Sequence, residues 1–356
     1  MNIMIYDVAA ESGGATTILN YFYNIHKKDK ENHYYYILSI YHLDETDNIT
    51  VINVPEVKNG WLSRLKFDYF GIQKYLKKFH IDEVLSLQNT IIPCFKGRQT
   101  VYLHNALPFA EYRYRLSEDR VMWMYQNIIG RFMLDGIKKA NHVIVQTEWM
   151  KNAITQRIKG ADRKTEIMFP KVEIPDGYQY IPQEKCTFFY PANSADFKNH
   201  RVIIKAAMLL KKQGITDYSI VFTLNGNEKP AIKSIYEKSK SEELNIQWIG
   251  ILPRKEVFEW YSKSVLLFPS YIETVGLPIY EALSVGCPAI VADCAYARNI
   301  ADGFENVRYF KYDDEKTLAE FMKQEIDNFV KCDSYLSKDN TYRRNGVQEF
   351  SYEYKK

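Results

Sequence analysis

Two glutamates eight positions apart, Glu273 and Glu281, are the residues whose type and spacing most clearly indicate chemistry. An apolar strand ends before Glu273, and Pro278 predicts a helix start, because proline favours the first helical position. The N–H groups of Gly276 and Leu277 then lie between the carboxylates without helical partners, and such a helix start attracts phosphate. The carboxylates can accept hydrogen bonds from vicinal hydroxyls. The pattern suits a ligand with a central diphosphate and a polyol at each end, as in a nucleotide sugar.

A plainer interpretation is that Glu281 only complements the helix dipole and that Glu273 is a solvated loop residue. The surrounding residues 268–293, however, read FPSYIETVGLPIYEALSVGCPAIVAD. This string resembles the E-x7-E signature of glycosyltransferase family 4, in the form P-S-x-x-E-x-x-G-L-P-x-x-E-A. The resemblance implies a GT-B fold and a retaining transfer, of the hexosyltransferase type, from a nucleotide-sugar donor. It also implies a role in bacterial-type cell-surface polysaccharide synthesis.

The resemblance extends to other parts of the chain. Gly13 and Gly14 follow the first strand, as the family's glycine loop does, although a double glycine is also typical of a plain tight turn. His104 ends a strand where the family places a histidine beside the donor sugar; a lone histidine is more often structural. Lys198 matches the family's phosphate-binding lysine, and Gly250 follows the strand near the nucleotide base.

One position departs from the family pattern. Asn193 stands where an arginine is expected, so one phosphate-binding cation is missing, and Arg254 or another basic residue is a candidate replacement. With that reservation, the resemblance assigns His104, Lys198 and Glu273 to catalysis. The residues assigned to donor binding are Gly13, Gly14, Asn193, Gly250, Thr274, Val275, Gly276, Leu277 and Glu281.

The expected mechanism needs no metal or other cofactor, because no D-x-D triplet occurs in the chain. Lys198, the glycine-loop amides and the helix start meet the charge of the leaving diphosphate. Glu273 would bind hydroxyls of the donor sugar, Glu281 the ribose, and His104 the sugar from the opposite domain. We favour a same-face displacement in which the departing phosphate helps to deprotonate the acceptor. A UDP- or GDP-sugar is the expected donor.

Short apolar runs alternate with amphipathic stretches, which predicts an α/β protein with parallel sheets covered by helices. Strands are expected at 3–6, 34–39, 50–54, 83–87, 99–103, 142–146, 187–190, 219–224, 246–249, 265–268, 289–291 and 308–310, and helices at 15–27, 121–139, 200–213 and 279–285. Three prolines and a glycine within residues 170–182 indicate a connection.

The resemblance and this connection together predict two Rossmann-like, doubly wound domains that face each other across a deep cleft. Residues 1–172 would bind the acceptor and residues 183–335 the nucleotide sugar. A C-terminal tail, residues 336–356, would pack back toward the first domain.

The composition limits which binding partners and which cellular compartment we expect. A formal net charge of +3 over 356 residues does not argue for nucleic acid. The five cysteines form no C-x-x-C pair, so we expect reduced thiols and no zinc site. No apolar run approaches the roughly 18 residues of a membrane span, and no signal-peptide pattern is present. We expect a cytoplasmic protein.

The acceptor is expected to be a glycan or a lipid-linked sugar. Residues 58–78 carry a net charge of +5 and interleaved aromatic residues, a pattern that suits peripheral contact with the inner, anionic face of the cell membrane; an ordinary solvated helix is the alternative. Arg113 and Arg115 would meet acceptor phosphates, or are plain surface arginines. Two other functions stay open: a catalytically weak nucleotide-sugar-binding or scaffold subunit, and a nucleotide-sugar epimerase on the same fold.

Overall fold

The structure, a computed structural model, describes residues 1–11 and 14–335. Two parallel sheets follow one another along this part of the chain. We call the part built on the first sheet the first lobe and the part built on the second sheet the second lobe. The first sheet has the order β3-β2-β1-β4-β5-β6-β7, with β1 Asn2–Asp7, β2 His33–Leu38, β3 Ile49–Asn53, β4 Glu83–Ser86, β5 Arg98–Leu103, β6 His142–Val145 and β7 Thr165–Ile167. The second has the order β10-β9-β8-β11-β12-β13, with β8 Thr187–Tyr190, β9 Ser219–Phe222, β10 Ile246–Trp248, β11 Val265–Phe268, β12 Ala289–Ala292 and β13 Val307–Phe310.

Helices connect the strands, as parallel pairing requires. They are α1 Gly14–His26, α2 Trp61–Lys66, α3 Gln73–Lys78, α4 Arg120–Met124, α5 Gly130–Lys139, α6 Glu148–Thr155, α7 His200–Lys212, α8 Pro230–Ser241, α9 Arg254–Tyr261, α10 Leu277–Ser284, α11 Ala295–Ile300 and α12 Glu315–Tyr335. Two π-helical turns, Phe67–Gly71 and Tyr125–Ile129, join α2 to α3 and α4 to α5. None of the helices in the described ranges is long and apolar enough to cross a bilayer.

In both sheets the strand order reverses beside the strand that comes first in the chain. In the second sheet the chain runs outward from β8 to β10 and then returns to place β11 on the other side of β8. The first sheet does the same at β1 and β4. Loops at such a switch point diverge and leave a crevice at the carboxyl ends of the strands, where ligands bind. This topology brings the loops after β8 and β11, which carry Lys198 and Glu273, next to each other.

The predicted α/β class and the twelve predicted strands are confirmed, with ends that differ by at most two residues. The three-residue edge strand β7 was missed, because so short a run carries little periodic signal. The predicted helix at 121–139 is interrupted by a π-helical turn. Helix α10 begins at Leu277 rather than after Pro278, so the proline occupies its second position. The predicted tail, residues 336–356, lies outside the described residues, and the domain limits stay a prediction.

One residue of the second lobe belongs to the core of the first. Ile272, in the loop after β11, is 4% exposed and packs in a cluster with Phe109, Met150 and Ile154. Beside it, the hydroxyls of Tyr271 and Tyr114 lie 3.2 Å apart. The loop that contains Glu273 is therefore anchored in both lobes.

Candidate active site

At the switch point of the second sheet, Lys198 and Glu273 form a salt bridge. Lys198 ends a 3-10 turn after β8, and its backbone carbonyl accepts a 2.6 Å hydrogen bond from the hydroxyl of the buried Tyr190. Glu273 also accepts a 2.8 Å hydrogen bond from Ser270 Oγ. The two charged side chains are only 14% and 17% exposed. Because an unpaired charge is costly to bury, each compensates the other.

The first lobe holds the same loop through its backbone. The carbonyl of Thr274 accepts hydrogen bonds from Thr147 Oγ1 at 3.0 Å and from Trp149 Nε1 at 2.6 Å. Thr147 follows β6, and Trp149 lies in the first turn of α6. Two donors on one carbonyl, together with the burial of Ile272, restrict the position of the loop relative to the first lobe.

The start of α10 is open to an anion. Gly276 precedes it with φ +78°, and no side chain caps the first N–H groups. A Cβ on Gly276 would lie 2.9 Å from two ring carbons of Tyr296. That ring is buried, and its hydroxyl donates to the carbonyl of Ser270 at 2.5 Å, so it cannot move freely. Val275, just before Gly276, is buried in the second-lobe core.

Glu281 lies one turn into α10 and is itself paired. Its Oε1 accepts a 2.6 Å hydrogen bond from Arg254 Nη1, and its Oε2 accepts a 3.3 Å bond from the hydroxyl of Tyr261. Burial raises the pKa of Glu281, and Arg254 and Tyr261 oppose that shift. Arg254 also donates to the backbone carbonyl of Glu173 at 2.9 Å. Its guanidinium is thus engaged by Glu281, which argues against Arg254 as the replacement for the missing arginine.

Asn193 cannot supply a cation, and its side chain is used locally. It is exposed, and its Oδ1 accepts a 3.0 Å hydrogen bond from the N–H of Ala195. This bond shapes the turn that leads from β8 toward Lys198. At the position where the family pattern has an arginine, this chain therefore offers a neutral amide.

A second cation does stand beside the Lys198 turn. Lys229, which follows β9 and precedes α8, places its Nζ 2.5 Å from Asp196 Oδ1. Burial first, and then the charges of Lys198 and Lys229, lower the pKa of the neighbouring His200 to about 3. The sequence analysis missed Lys229. Its position could have indicated it, because Lys229 lies at a helix start after β9, the strand adjacent to β8.

His104 follows β5 and carries an unsatisfied polar atom. Its backbone N–H donates to Asn89 Oδ1 at 2.7 Å, and its buried Nδ1 has no hydrogen-bond partner. Burial lowers the pKa of His104 to about 4, so the ring is neutral near pH 7. Among the described residues, no hydrogen bond or ring contact joins His104 to the second lobe.

The remaining predicted residues lie apart from the Lys198–Glu273 pair. Gly14 is the first residue of α1, and Gly13 lies outside the described residues. Gly250 follows β10 with φ +76°, where a Cβ would lie 2.8 Å from Asn225 Oδ1. Arg113 and Arg115 are exposed in the loop after β5.

Comparison with known proteins agrees with this geometry. Residues 179–339 match the family of glycosyl transferases group 1. The chain is 24% identical to the O-antigen chain mannosyltransferase RfbU of Salmonella typhimurium, over 86% of this chain and 84% of that protein. Sucrose-phosphate synthase from Thermosynechococcus elongatus has a similar structure, with a TM-score of 0.68 and 13% identity over 92% of this chain and 90% of that one. HepE of Anabaena in complex with UDP-glucose gives a TM-score of 0.65 and 14% identity over 93% and 91%.

Two parallel α/β sheets, each with a switch point beside its first strand, give the chain the predicted GT-B fold that these structures share. The match of residues 179–339 and the similarity to RfbU agree with the family resemblance that the sequence predicted.

The packing at Gly276 yields a test of the α10 start. We expect Gly276→Ala to lower the free energy of unfolding and to weaken nucleotide binding, because the new Cβ displaces either Tyr296 or the helix start. Gly303→Ala is the control, since Gly303 has φ +82° but no atom within 4 Å of its added Cβ. Gly303→Ala should therefore lose only the free energy that a non-glycine residue needs to adopt a left-handed backbone conformation, about 1–2 kcal/mol. Thermal unfolding and calorimetry with UDP and GDP measure both effects; equal losses in the two variants would refute the clash.

Proposed function

We propose that this protein is a retaining, metal-independent glycosyltransferase that moves a sugar from a UDP- or GDP-sugar to a glycan or lipid-linked acceptor in cell-surface polysaccharide synthesis. The observation that carries the proposal is the largely buried Lys198–Glu273 pair beside the uncapped start of α10. It combines a cation for a diphosphate, free N–H groups for the same charge, and a carboxylate for sugar hydroxyls. The second lobe, residues 183–335, would bind the donor and residues 1–172 the acceptor.

The donor would replace the contact between the two paired side chains. Lys198 would turn to the diphosphate and Glu273 to the sugar, so that neither buried charge is left alone. The start of α10 adds positive potential at the leaving group, which is where charge develops in the transition state. With no side chain assigned as nucleophile, the departing phosphate would accept the proton of the attacking hydroxyl on the same face. This step leads to retention of configuration.

His104 would bind the sugar from the first lobe. A buried polar atom without a partner costs about 1–3 kcal/mol, and a sugar hydroxyl at Nδ1 would remove that cost. Because the pKa of His104 lies at about 4, the ring would bind as a neutral group over the physiological range. Glu281 would accept a ribose hydroxyl while it keeps its bond to Arg254, since each carboxylate oxygen can accept more than one hydrogen bond.

The relatives support the substrate class. RfbU is named a mannosyltransferase of the O-antigen chain, and HepE was solved with UDP-glucose. Two alternative functions would give different results in an activity assay. A scaffold subunit, which the loss of the arginine at Asn193 favours, would bind a nucleotide sugar without turning it over. An epimerase would change the sugar without transfer to an acceptor or water.

Nucleotide release from a panel of UDP-, GDP- and dTDP-sugars tests the function. We expect release with one donor class, continued release in EDTA, and a drop of about a hundredfold in Lys198→Ala, the size seen when a charge-stabilising group is removed. Lys233→Ala is the matched control, since Lys233 is exposed and, among the described residues, forms its one ion pair with Glu237 at 3.9 Å. Release that stops in EDTA and returns with magnesium would exclude the metal-independent mechanism. Unchanged turnover in Lys198→Ala would exclude its role, and absence of release with every donor would exclude the transferase.

We also propose that the first lobe contacts an anionic membrane through α2 to α5. Leu62, Lys66, Phe70, Lys74 and Lys77 recur at spacings of three or four residues and are all exposed. Leu62 is 84% and Phe70 71% exposed, which is unusual for large apolar side chains on a water-facing helix. Four lysines of this segment, including Lys78, carry no acidic partner among the described residues.

A second helix widens this surface, and the sequence analysis did not identify it. The ring of Trp61 lies 6.3 Å from that of Tyr125, so α2 and the α4–α5 helix are neighbours. Val121, Ile128 and Phe132 are exposed on the latter. The positive charge is smaller than the composition suggested, because Arg64 is bonded to Asp68 at 3.0 Å and Lys58 is paired with Glu11.

Vesicle co-sedimentation tests this contact. We expect binding to phosphatidylglycerol vesicles at low salt, weaker binding at high salt, and little to phosphatidylcholine. Changing Lys74, Lys77 and Lys78 to Glu should abolish it, since each lysine near an anionic surface contributes about 1 kcal/mol. Changing Lys233, Lys238 and Lys240 of α8 to Glu alters the net charge equally and should leave binding intact. Equal binding to both lipids, or equal loss in both variants, would contradict the proposal.

A further inference from the structure

Two arginines of the first lobe, Arg113 and Arg157, donate hydrogen bonds to neighbouring backbone carbonyls. Arg157, just after α6, donates through Nη1 to the carbonyl of Ala153 at 2.9 Å and through Nη2 to that of Phe109 at 3.4 Å. Arg113 donates through Nη1 to the carbonyl of Pro108 at 3.3 Å. Because Pro108 and Phe109 are consecutive, these bonds bring the two guanidinium groups together.

Within residues 1–11 and 14–335, this pair has no carboxylate counter-ion. In the described part of the chain, neither guanidinium lies within 4.0 Å of an Asp or Glu oxygen. Burial first, and then the charge of Arg113, lower the pKa of Arg157. Two like charges held together without a counter-ion raise the free energy of the site, and a bound anion would lower it.

Arg157 of this pair lines a cavity between the lobes. The cavity has a volume of about 340 Å³, and Arg157, Glu111 and Trp149 contribute to its first-lobe wall. Glu273 and Cys294 contribute from the second lobe. The same space thus reaches from Arg157 to the carboxylate proposed to hold the donor sugar. Such a space suits a small polar group that meets the donor sugar from the side of the first lobe.

We propose that Arg113 and Arg157 bind an anionic group of the acceptor, a phosphate or a carboxylate, and so place its hydroxyl in the cavity beside Glu273. The inference rests on the proposed function. Guanidinium groups offer fixed N–H donors that match two oxygens of an oxyanion, and neighbouring groups can share one anion. Arg157 replaces Arg115 in the predicted pair, because only the backbone of Arg115 is hydrogen-bonded in the described residues.

Binding of three soluble sugars tests the subsite, with excess UDP and GDP present to occupy the donor site. Ligand-observed NMR would measure dissociation constants for glucose 6-phosphate, glucuronate and the neutral control glucose. We expect the anionic sugars to bind about tenfold more tightly than glucose, as one charge-assisted hydrogen bond would provide. The tighter of the two identifies phosphate or carboxylate as the preferred group.

Variants then assign the preference to the arginines. Arg113→Gln combined with Arg157→Gln should remove the preference for anionic sugars, whereas Arg157→Lys, which keeps the charge, should retain it. Arg163→Gln is the control, because Arg163 is exposed and does not line the cavity. Equal binding of glucose and the anionic sugars, or equal behaviour of the double variant and the control, overturns the proposal. Failure of the proposed function would be seen in a different experiment, as an absence of nucleotide release by the unmodified protein.

Discussion

The attachment of the loop after β11 to both lobes is the constraint on which the site depends. The second lobe holds this loop through the Lys198–Glu273 pair. The first lobe holds it through the burial of Ile272 and through two hydrogen bonds to the carbonyl of Thr274. Glu273 lies between these attachments, so its position is set by the lobes together. A shift of one lobe against the other must move or strain the proposed sugar-binding carboxylate.

This attachment links donor and acceptor physically. Helix α6 carries Trp149, which bonds to the loop, and is followed by Arg157, which lines the interlobe cavity. The loop that carries the proposed sugar-binding carboxylate and one of the two arginines proposed to bind the acceptor anion are therefore both attached to α6. In transfer reactions, much of the rate comes from holding two reactants in the correct geometry. A single helix in contact with both sites is a direct way to maintain that geometry while the substrates change.

The parts of the account that the sequence predicted are those encoded by neighbouring residues. Strand periodicity and the string around Glu273 and Glu281 are local, so the two sheets and the resemblance to the group 1 glycosyltransferases could be inferred. Contacts between distant segments could not be inferred. Arg113 and Arg157 donate to the consecutive carbonyls of Pro108 and Phe109, and Ile272 enters the first-lobe core, only because of how helices and loops pack. The Arg254–Glu281 pair illustrates the same limit. A basic residue near a site in sequence is not thereby free to bind a phosphate.

The most direct test of the double attachment is calorimetry on Ile272→Ala, with Ile251→Ala as the control because Ile251 is 89% exposed. Each variant would be titrated with the donor nucleotide sugar and with the corresponding free nucleotide. The account predicts that Ile272→Ala weakens nucleotide-sugar binding by about tenfold, the loss of one charge-assisted hydrogen bond, and leaves free-nucleotide binding unchanged. Ile251→Ala should change neither. Equal losses for both ligands, or no loss for the nucleotide sugar, would contradict the claim that the first lobe positions Glu273.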